Sequence, residues 1–264
     1  MDSGRKNGER QNWLEGAIDA AKAGGRVLQE WQGRFSVREK SKANLVTEAD
    51  EASQSAIVQS LKSRFPEHGF LGEESLNDRS ETSECFWIID PLDGTTNYVH
   101  GFPYYCISIA LSVRGQLEVG VIYDPNRDEL FTAICGQGAW CNGQRICTSG
   151  ESELSSAMAM ASLPVATDPE NPAVKRFLTA LTKMQTVQRT GSAALNLAYV
   201  GCGRIDAFWS SSLHPWDVAA GVLIVEEAGG SVTNLSGDAF DLFVSSVLAA
   251  STATLRQELV TGLR

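Results

Sequence analysis

The chain has 264 residues, with 22 Lys plus Arg against 32 Asp plus Glu and a formal net charge of −10. No Lys/Arg-rich run or basic helix face offsets that sign, and each phosphate contact needs a cation, so nucleic acid is not an expected partner. At 43% apolar and 20% charged residues, the composition excludes disorder for the bulk of the chain and suffices to bury one large core or two adjoining ones.

Residues 1–11 are polar with no apolar block behind them, so the sequence predicts a short frayed tail and no secretory signal. From 13 to 31, Leu14, Ala17, Ile18, Ala21, Val27, Leu28 and Trp31 recur at steps of three and four, the stripe of an amphipathic helix that Gly33 would stop. Residues 36–44 read as a polar loop. A second helix is expected from Thr47, whose hydroxyl can cap it, through Ala52, Ile57, Leu61 and Phe65 to Pro66.

The middle of the chain reads as antiparallel sheet, with strands at 86–89, 105–113, 117–123 and 129–133 and turn signals at 114–116 and 124–126. Asn142-Gly143 is a further hairpin signal. After about residue 150 strands and helices alternate: strand 157–161, helix 172–184, a strand near Val187, helix 193–200, strand 205–209, helix 216–228, strand 247–250 and a last helix from Thr252. The pattern predicts an α+β subdomain over 1–150 and an α/β subdomain over 151–264, with sheets and helices layered in one compact unit. The longest apolar stretch, 218–225, ends at Glu226-Glu227, far short of the roughly 18 residues of a membrane span. Cys85, Cys106, Cys135, Cys141, Cys147 and Cys202 form no CxxC pair, as in proteins of a reducing compartment, and the cytoplasm is the expected location.

Chemistry concentrates in residues 87–97. An apolar strand runs into Asp90-Pro91-Leu92-Asp93-Gly94-Thr95-Thr96-Asn97, where Pro91 fixes one dihedral and Gly94 permits a tight bend, so Asp90 and Asp93 can converge. Hard divalent cations such as Mg2+ take such oxygen ligands. An Asp-Gly turn would also explain the pair, but an unpaired carboxylate at a buried strand end is costly and asks for a cation. Three other acidic segments each admit an ordinary role when taken singly. Glu73-Glu74 reads as a solvated loop, Asp217 as a residue complementing a helix dipole, and Asp50 as part of a capping box with Thr47.

Taken together, these segments resemble the inositol monophosphatase family. Gly72-Glu73-Glu74, residues 87–97, Trp216-Asp217-Val218-Ala219-Ala220-Gly221 and Glu227-Ala228-Gly229-Gly230 follow its signatures in order and approximate spacing, over most of the chain. The resemblance implies a layered α/β/α/β/α sandwich and a metal-dependent phosphomonoesterase. Two or three Mg2+ ions would be held by Glu73, Asp90, Asp93, Asp217 and the carbonyl of Leu92. Asp50 and Thr95, with Glu73 assisting, would position and deprotonate a metal-activated water for in-line attack on phosphorus. Asp93, Gly94, Thr95, Gly191, Ser192, Ala193, Ser210 and Asp217 would face the substrate, a small phosphate monoester, with Glu74 behind them. Lithium sensitivity and a homodimer are implied likewise. The site is expected to face solvent, so that Asp93→Asn would remove activity and leave the fold intact.

One position departs from the family pattern. Where inositol monophosphatases commonly carry a glutamate that bonds inositol hydroxyls, this chain has Ser210, and loss of such a contact weakens discrimination for inositol. Substrates such as inositol 1-phosphate, sugar or polyol phosphates are expected; fructose bisphosphate, histidinol phosphate and phosphoadenosine phosphate are the alternatives within the superfamily. A non-catalytic regulatory binding protein on the same fold is the alternative from another class. His68, His100 and His214 lack metal-ligand spacing, no Gly-x-Ser-x-Gly elbow occurs, and Gly201-Cys202-Gly203 is not a dinucleotide fingerprint.

Overall fold

Helix α1 (Asp2–Trp31) starts well before its apolar stripe, so the frayed tail expected at the N-terminus is corrected. Arg10 anchors that stretch, donating to Cys135 O at 3.2 Å and pairing with Glu118 at 2.6 Å. The computed structural model describes residues 2–41, 44–74, 76–78, 84–165 and 167–263. The polar loop expected at 36–44 is corrected as well: β1 (Val37–Ser41) and β2 (Asn44–Thr47) pair antiparallel. The sequence Val37-Arg38-Glu39-Lys40-Ser41 has no apolar alternation to reveal a strand. Helix α2 (Glu48–Arg64) follows as expected, capped by the Thr47 hydroxyl, which accepts from Ala49 N at 3.1 Å.

The chain then builds an eight-stranded sheet. Its strands are β3 (Gly69–Gly72), β4 (Asn77–Asp78), β5 (Cys85–Asp93), β6 (Cys106–Val113), β7 (Gln116–Asp124), β8 (Glu129–Ile134), β9 (Gly138–Cys141) and β10 (Gln144–Ile146), with the short helix α3 (Thr95–Val99) after β5. The spatial order is β10-β9-β8-β7-β6-β5-β3-β4, antiparallel except that β3 runs parallel to β5. The Asn142-Gly143 turn joins β9 to β10 with both residues at positive φ, 48° and 75°.

A five-stranded sheet follows, made of β11 (Met158–Ala161), β12 (Thr186–Gln188), β13 (Ala207–Ser210), β14 (Ser231–Thr233) and β15 (Val247–Ala250) in the order β12-β11-β13-β15-β14. Helices α4 (Pro172–Lys183), α5 (Ala193–Gly201), α6 (Pro215–Glu227) and α7 (Ala253–Gly262) alternate with these strands.

Side-chain alternation along β5 shows how the layers stack. Trp87 and Ile89 join Trp13, Leu14, Ile57 and Leu61 in the core under α1 and α2. Ile88, between them, joins Leu197 of α5, Val222 of α6 and Phe208 of β13 in a second core. A third core puts Ala180 of α4 and Leu255 and Leu259 of α7 against the outer face of the smaller sheet. The order is therefore α1/α2, large sheet, α5/α6, small sheet, α4/α7, the α/β/α/β/α sandwich expected. Helix α5 is buried along its whole length and α6 from Val218 to Val225, which is why both read as apolar on every face. The two touch at Gly221, where a Cβ would stand 2.4 Å from Leu197 Cβ. No helix among the described residues is long and apolar enough to cross a membrane.

Candidate active site

The site starts from an irregularity in β5. Its pairing with β6 runs regularly to Asp90↔Ser108 and resumes at Asp93↔Cys106, so Pro91 and Leu92 stand opposite a single residue. This is a bulge, and it occurs at a proline, which has no N–H to give the ladder. Residues three apart on a regular strand face opposite sides; the bulge turns Asp90 and Asp93 toward one cavity. Asp90 Oδ1 accepts from Leu92 N at 3.0 Å, and Ser53 Oγ donates to Pro91 O at 2.9 Å, which pins the bulge to α2.

Two other elements bring carboxylates to the same place. Strand β3 lies parallel beside β5, with Gly72 opposite Ile89, and Glu73 follows directly at its end. Asp217 lies in the first turn of α6, where its Oδ2 accepts from His214 N at 2.7 Å and its carboxyl meets Asp90. The resulting cavity holds about 210 Å3 and is lined by Glu73, Asp90, Leu92, Asp93, Gly94, Thr95, Thr96, Val165, Gly191 and Asp217.

Behind the wall, Asp93 Oδ2 accepts from Ser192 Oγ and Ala194 N, each at 2.6 Å, and the Cys106 thiol points at it from 3.9 Å. These contacts cap α5 onto β5 across the middle of the molecule. Asp50 is fully buried; its Oδ2 accepts from Thr47 N at 2.9 Å and Thr47 Oγ1 at 2.7 Å. Thr95 Oγ1 stands 3.2 Å from Asp50 Oδ1 and 3.2 Å from Leu92 O. One hydroxyl hydrogen serves one acceptor at a time, so Thr95 keeps a lone pair for the cavity.

The electrostatics are one-sided. Burial, reinforced by the charges of Glu73, Asp93 and Asp217, pushes the Asp90 carboxyl well above the usual carboxylate range. Asp217 is raised well up by burial and by Asp93, and Asp93 and Asp50 are raised chiefly by burial. Among the described residues, no Lys or Arg lines the cavity. Among the described residues no group of three His, Cys, Asp or Glu side chains is gathered closely enough to hold an ion by itself. A cation bound here would draw on the Leu92 carbonyl and water as well as the carboxylates, which suits Mg2+, a hard cation that keeps several waters. The oxygen-only donor set and the unbalanced buried charge fit divalent cations.

Eight of the residues singled out in the sequence meet at the cavity: Glu73, Asp90, Leu92, Asp93, Gly94, Thr95, Gly191 and Asp217. Asp50, Ser192, Ala193 and Ser210 are not on its wall and are 0%, 0%, 4% and 0% exposed. Asp50 and Ser192 act through Thr95 and Asp93. Ser210 sits in β13 with Ser212 N directed at its hydroxyl from 3.4 Å. The solvent-facing site is corrected: Asp90 and Asp93 are 1% and 8% exposed, because the bulge turns them inward beneath α5 and α6. Sequence reasoning missed Thr96 and Val165 on the wall and Cys106 behind it; Thr96 lay within the motif, whereas Val165 follows a strand with no chemical signal.

A five-layer sandwich with an acid-lined cavity where β3, β5 and α6 meet is the architecture of a phosphatase fold. The model of the inositol monophosphatase family matches residues 9–264. Inositol monophosphatase 3 of Solanum lycopersicum is 42% identical over 265 residues, with 98% of each chain covered. Nus factor SuhB of Pseudomonas aeruginosa is 38% identical, over 95% of this chain and 96% of its own. Among solved structures, the inositol monophosphatase from Anabaena superposes with a TM-score of 0.86 at 40% identity, covering 96% of this chain and 95% of that one. The chain belongs to the inositol monophosphatase family, a family of phosphatases.

Proposed function

We propose that the protein is a Mg2+-dependent phosphomonoesterase acting on a small phosphate monoester of the inositol 1-phosphate, sugar or polyol phosphate kind. The observation that carries this is the cavity itself, in which Glu73, Asp90, Asp93 and Asp217 meet with no basic side chain among the described residues. Those carboxylates and the Leu92 carbonyl would hold two or three ions. Bound there, Mg2+ supplies the positive charge that neutralises the phosphate and makes water a competent nucleophile. The rest falls to the protein. Thr95 orients the attacking water with its lone pair and hands its own hydrogen to Asp50, whose raised affinity for a proton follows from its burial. Glu73 assists from the metal side. No side chain caps α3, so the amides of Gly94 to Thr96 remain for phosphate oxygens, with Gly191 and Asp217 facing the alcohol.

Recognition of that alcohol is thin. Ser210 is buried off the wall, and Val165, 56% exposed, is the apolar side chain presented there. This supports breadth over strict selection for inositol and keeps fructose bisphosphate, histidinol phosphate and phosphoadenosine phosphate as alternatives. The same reading includes lithium inhibition, a cytoplasmic homodimer, and subdomains 1–150 and 151–264 that share the site. A panel of phosphate esters assayed with and without Mg2+ tests it: turnover with several polyol and sugar phosphates, abolished by chelation, is expected. Relatives named as Nus factors favour a second reading, a regulatory binding protein; a panel without turnover and a titration without divalent binding would establish that one instead.

A further inference from the structure

Asn97 closes the motif that begins at Trp87, yet none of the roles above uses it. Its side-chain amide donates to two backbone carbonyls, Tyr104 O at 2.7 Å and Thr190 O at 2.8 Å. The first acceptor lies on the approach to β6, the second, 93 residues from Asn97, just before α5. Two hydrogens on one nitrogen are used on two carbonyls, which an uncharged side chain other than an amide does not supply. The segment Thr190-Gly191-Ser192 is drawn against Asn97 so closely that a Cβ on Gly191 would stand 3.0 Å from Asn97 Nδ2, and Gly191 has φ +91°. Asn196 grips the same segment from within: Thr190 Oγ1 and Tyr104 OH both donate to its Oδ1, at 2.7 and 2.8 Å. The next residue after this clamp is Ser192, whose hydroxyl, with Ala194 N, holds Asp93 Oδ2.

The contacts form one line, from Asn97 through Thr190, Gly191 and Ser192 to the carboxylate of Asp93. We propose that Asn97 is a positioning residue for the metal site, setting the place of the α5 N-terminus and thereby the orientation in which Asp93 offers its free lone pairs to a cation. The inference rests on the reading of Asp93 as a cation ligand. Asn97 is not on the cavity wall; it adds a direct two-carbonyl tie between two segments that also meet through Tyr104 OH with Asn196 and through Ser192 with Asp93 and Cys106.

The test is calorimetric titration of the full chain with Mg2+ in the absence of substrate, with thermal unfolding recorded beside it. Asn97→Ala is expected to weaken Mg2+ binding roughly 10-fold, the scale on which outer-shell partners act. Asn97→Ser, which keeps one donor, is expected to fall between and serves if Asn97→Ala does not fold. Because both residues act on Asp93 through one segment, adding Asn97→Ala to Ser192→Ala should cost less than about a further 2-fold, where independent effects would multiply. A lowered melting temperature with unchanged Mg2+ affinity overturns the proposal, and so do multiplying effects in the double variant. Wild-type protein that takes up no Mg2+ is a different failure: it overturns the metal reading and this inference with it, before any variant is compared.

Discussion

The Ser192 hydroxyl donates to Asp93 Oδ2 at 2.6 Å, across 99 residues of chain. One residue belongs to the motif at the end of the large sheet, the other is the N-cap of α5. A serine N-cap normally spends its oxygen on its own helix, and here it does so while also donating outward: its oxygen takes Leu195 N at 3.3 Å. The start of a buried helix and a carboxylate of the cavity are thereby fixed in a single arrangement.

Asp93→Asn bears on both roles at once. An asparagine can still accept from Ser192 and Ala194, but its NH2 then faces the cations, so Mg2+-dependent turnover is expected to fall roughly 100-fold or more. Removing one of several mutually repelling buried charges relieves the apo protein. The melting temperature without metal should therefore not drop below that of the wild type, while the upward shift produced by Mg2+ should disappear. Thermal melts with Mg2+ and with chelator check both statements.

Thr95 separates orientation of the water from binding. Thr95→Ala removes the hydroxyl that bridges the cavity and Asp50, and kcat should fall by about 100-fold or more, the usual reach of a positioned proton-transfer group. Thr95→Ser keeps the oxygen and should retain most of the activity. Steady-state kinetics should show KM little changed in both; a large rise in KM with kcat intact would remove Thr95 from the proton path.

Gly221 tests the contact between the two central helices. Alanine in a helix interior is better than glycine by about 1 kcal/mol, yet its Cβ would fall 2.4 Å from Leu197 Cβ. Overpacking of this kind costs about 1–3 kcal/mol, and Leu197 cannot swing its own Cβ away. The clash wins, and Gly221→Ala should lower the urea midpoint despite the better propensity.

His68 gives the pH dependence a defined sign. It stacks on Phe65 at 5.1 Å and packs near Trp87, and burial lowers its pKa from the ordinary value of 6.5. Between the folded and the unfolded pKa the unfolded chain binds more protons, so the stability tied to neutral His68 is present above pH 6.5 and is lost as pH falls through the folded value. His68→Phe keeps a stacking ring without the proton. Denaturation midpoints of wild type and variant from pH 7.5 to 5 should diverge, the wild type falling more steeply; parallel curves would contradict the assignment.

Elements with strong local chemistry could be read from the sequence alone. Thr47 announced α2 and its hydroxyl accepts from Ala49 N. Asp90-Pro91-Leu92-Asp93-Gly94 announced two carboxylates that can converge, although the bend expected at Gly94 is preceded by a bulge at Pro91 and Leu92 that the sequence did not reveal. The hairpin of β1 and β2 could not be read, since a run such as Val37 to Ser41 lacks alternation, nor could β3, whose four residues are recognisable only beside β5. Within the site, Asp217 required the family resemblance, because one acid at a helix start has an ordinary explanation. One of the two acceptors of Asn97, Thr190 O, lies 93 residues away, and Ser210 is buried in a strand that pairs with β15 at Val247; no local pattern encodes either.

Val165 stands on the connection from β11 to α4, and among the described residues of that connection none donates a hydrogen bond to Asp50, Asp90, Asp93 or Asp217. The stretch of wall at Val165 is thus built on a different part of the chain from the strand ends and the helix start that carry the carboxylates. A side chain exchanged at Val165 leaves those hydrogen bonds in place, so this fold can vary one stretch of the cavity wall while the arrangement of these four aspartates stays fixed.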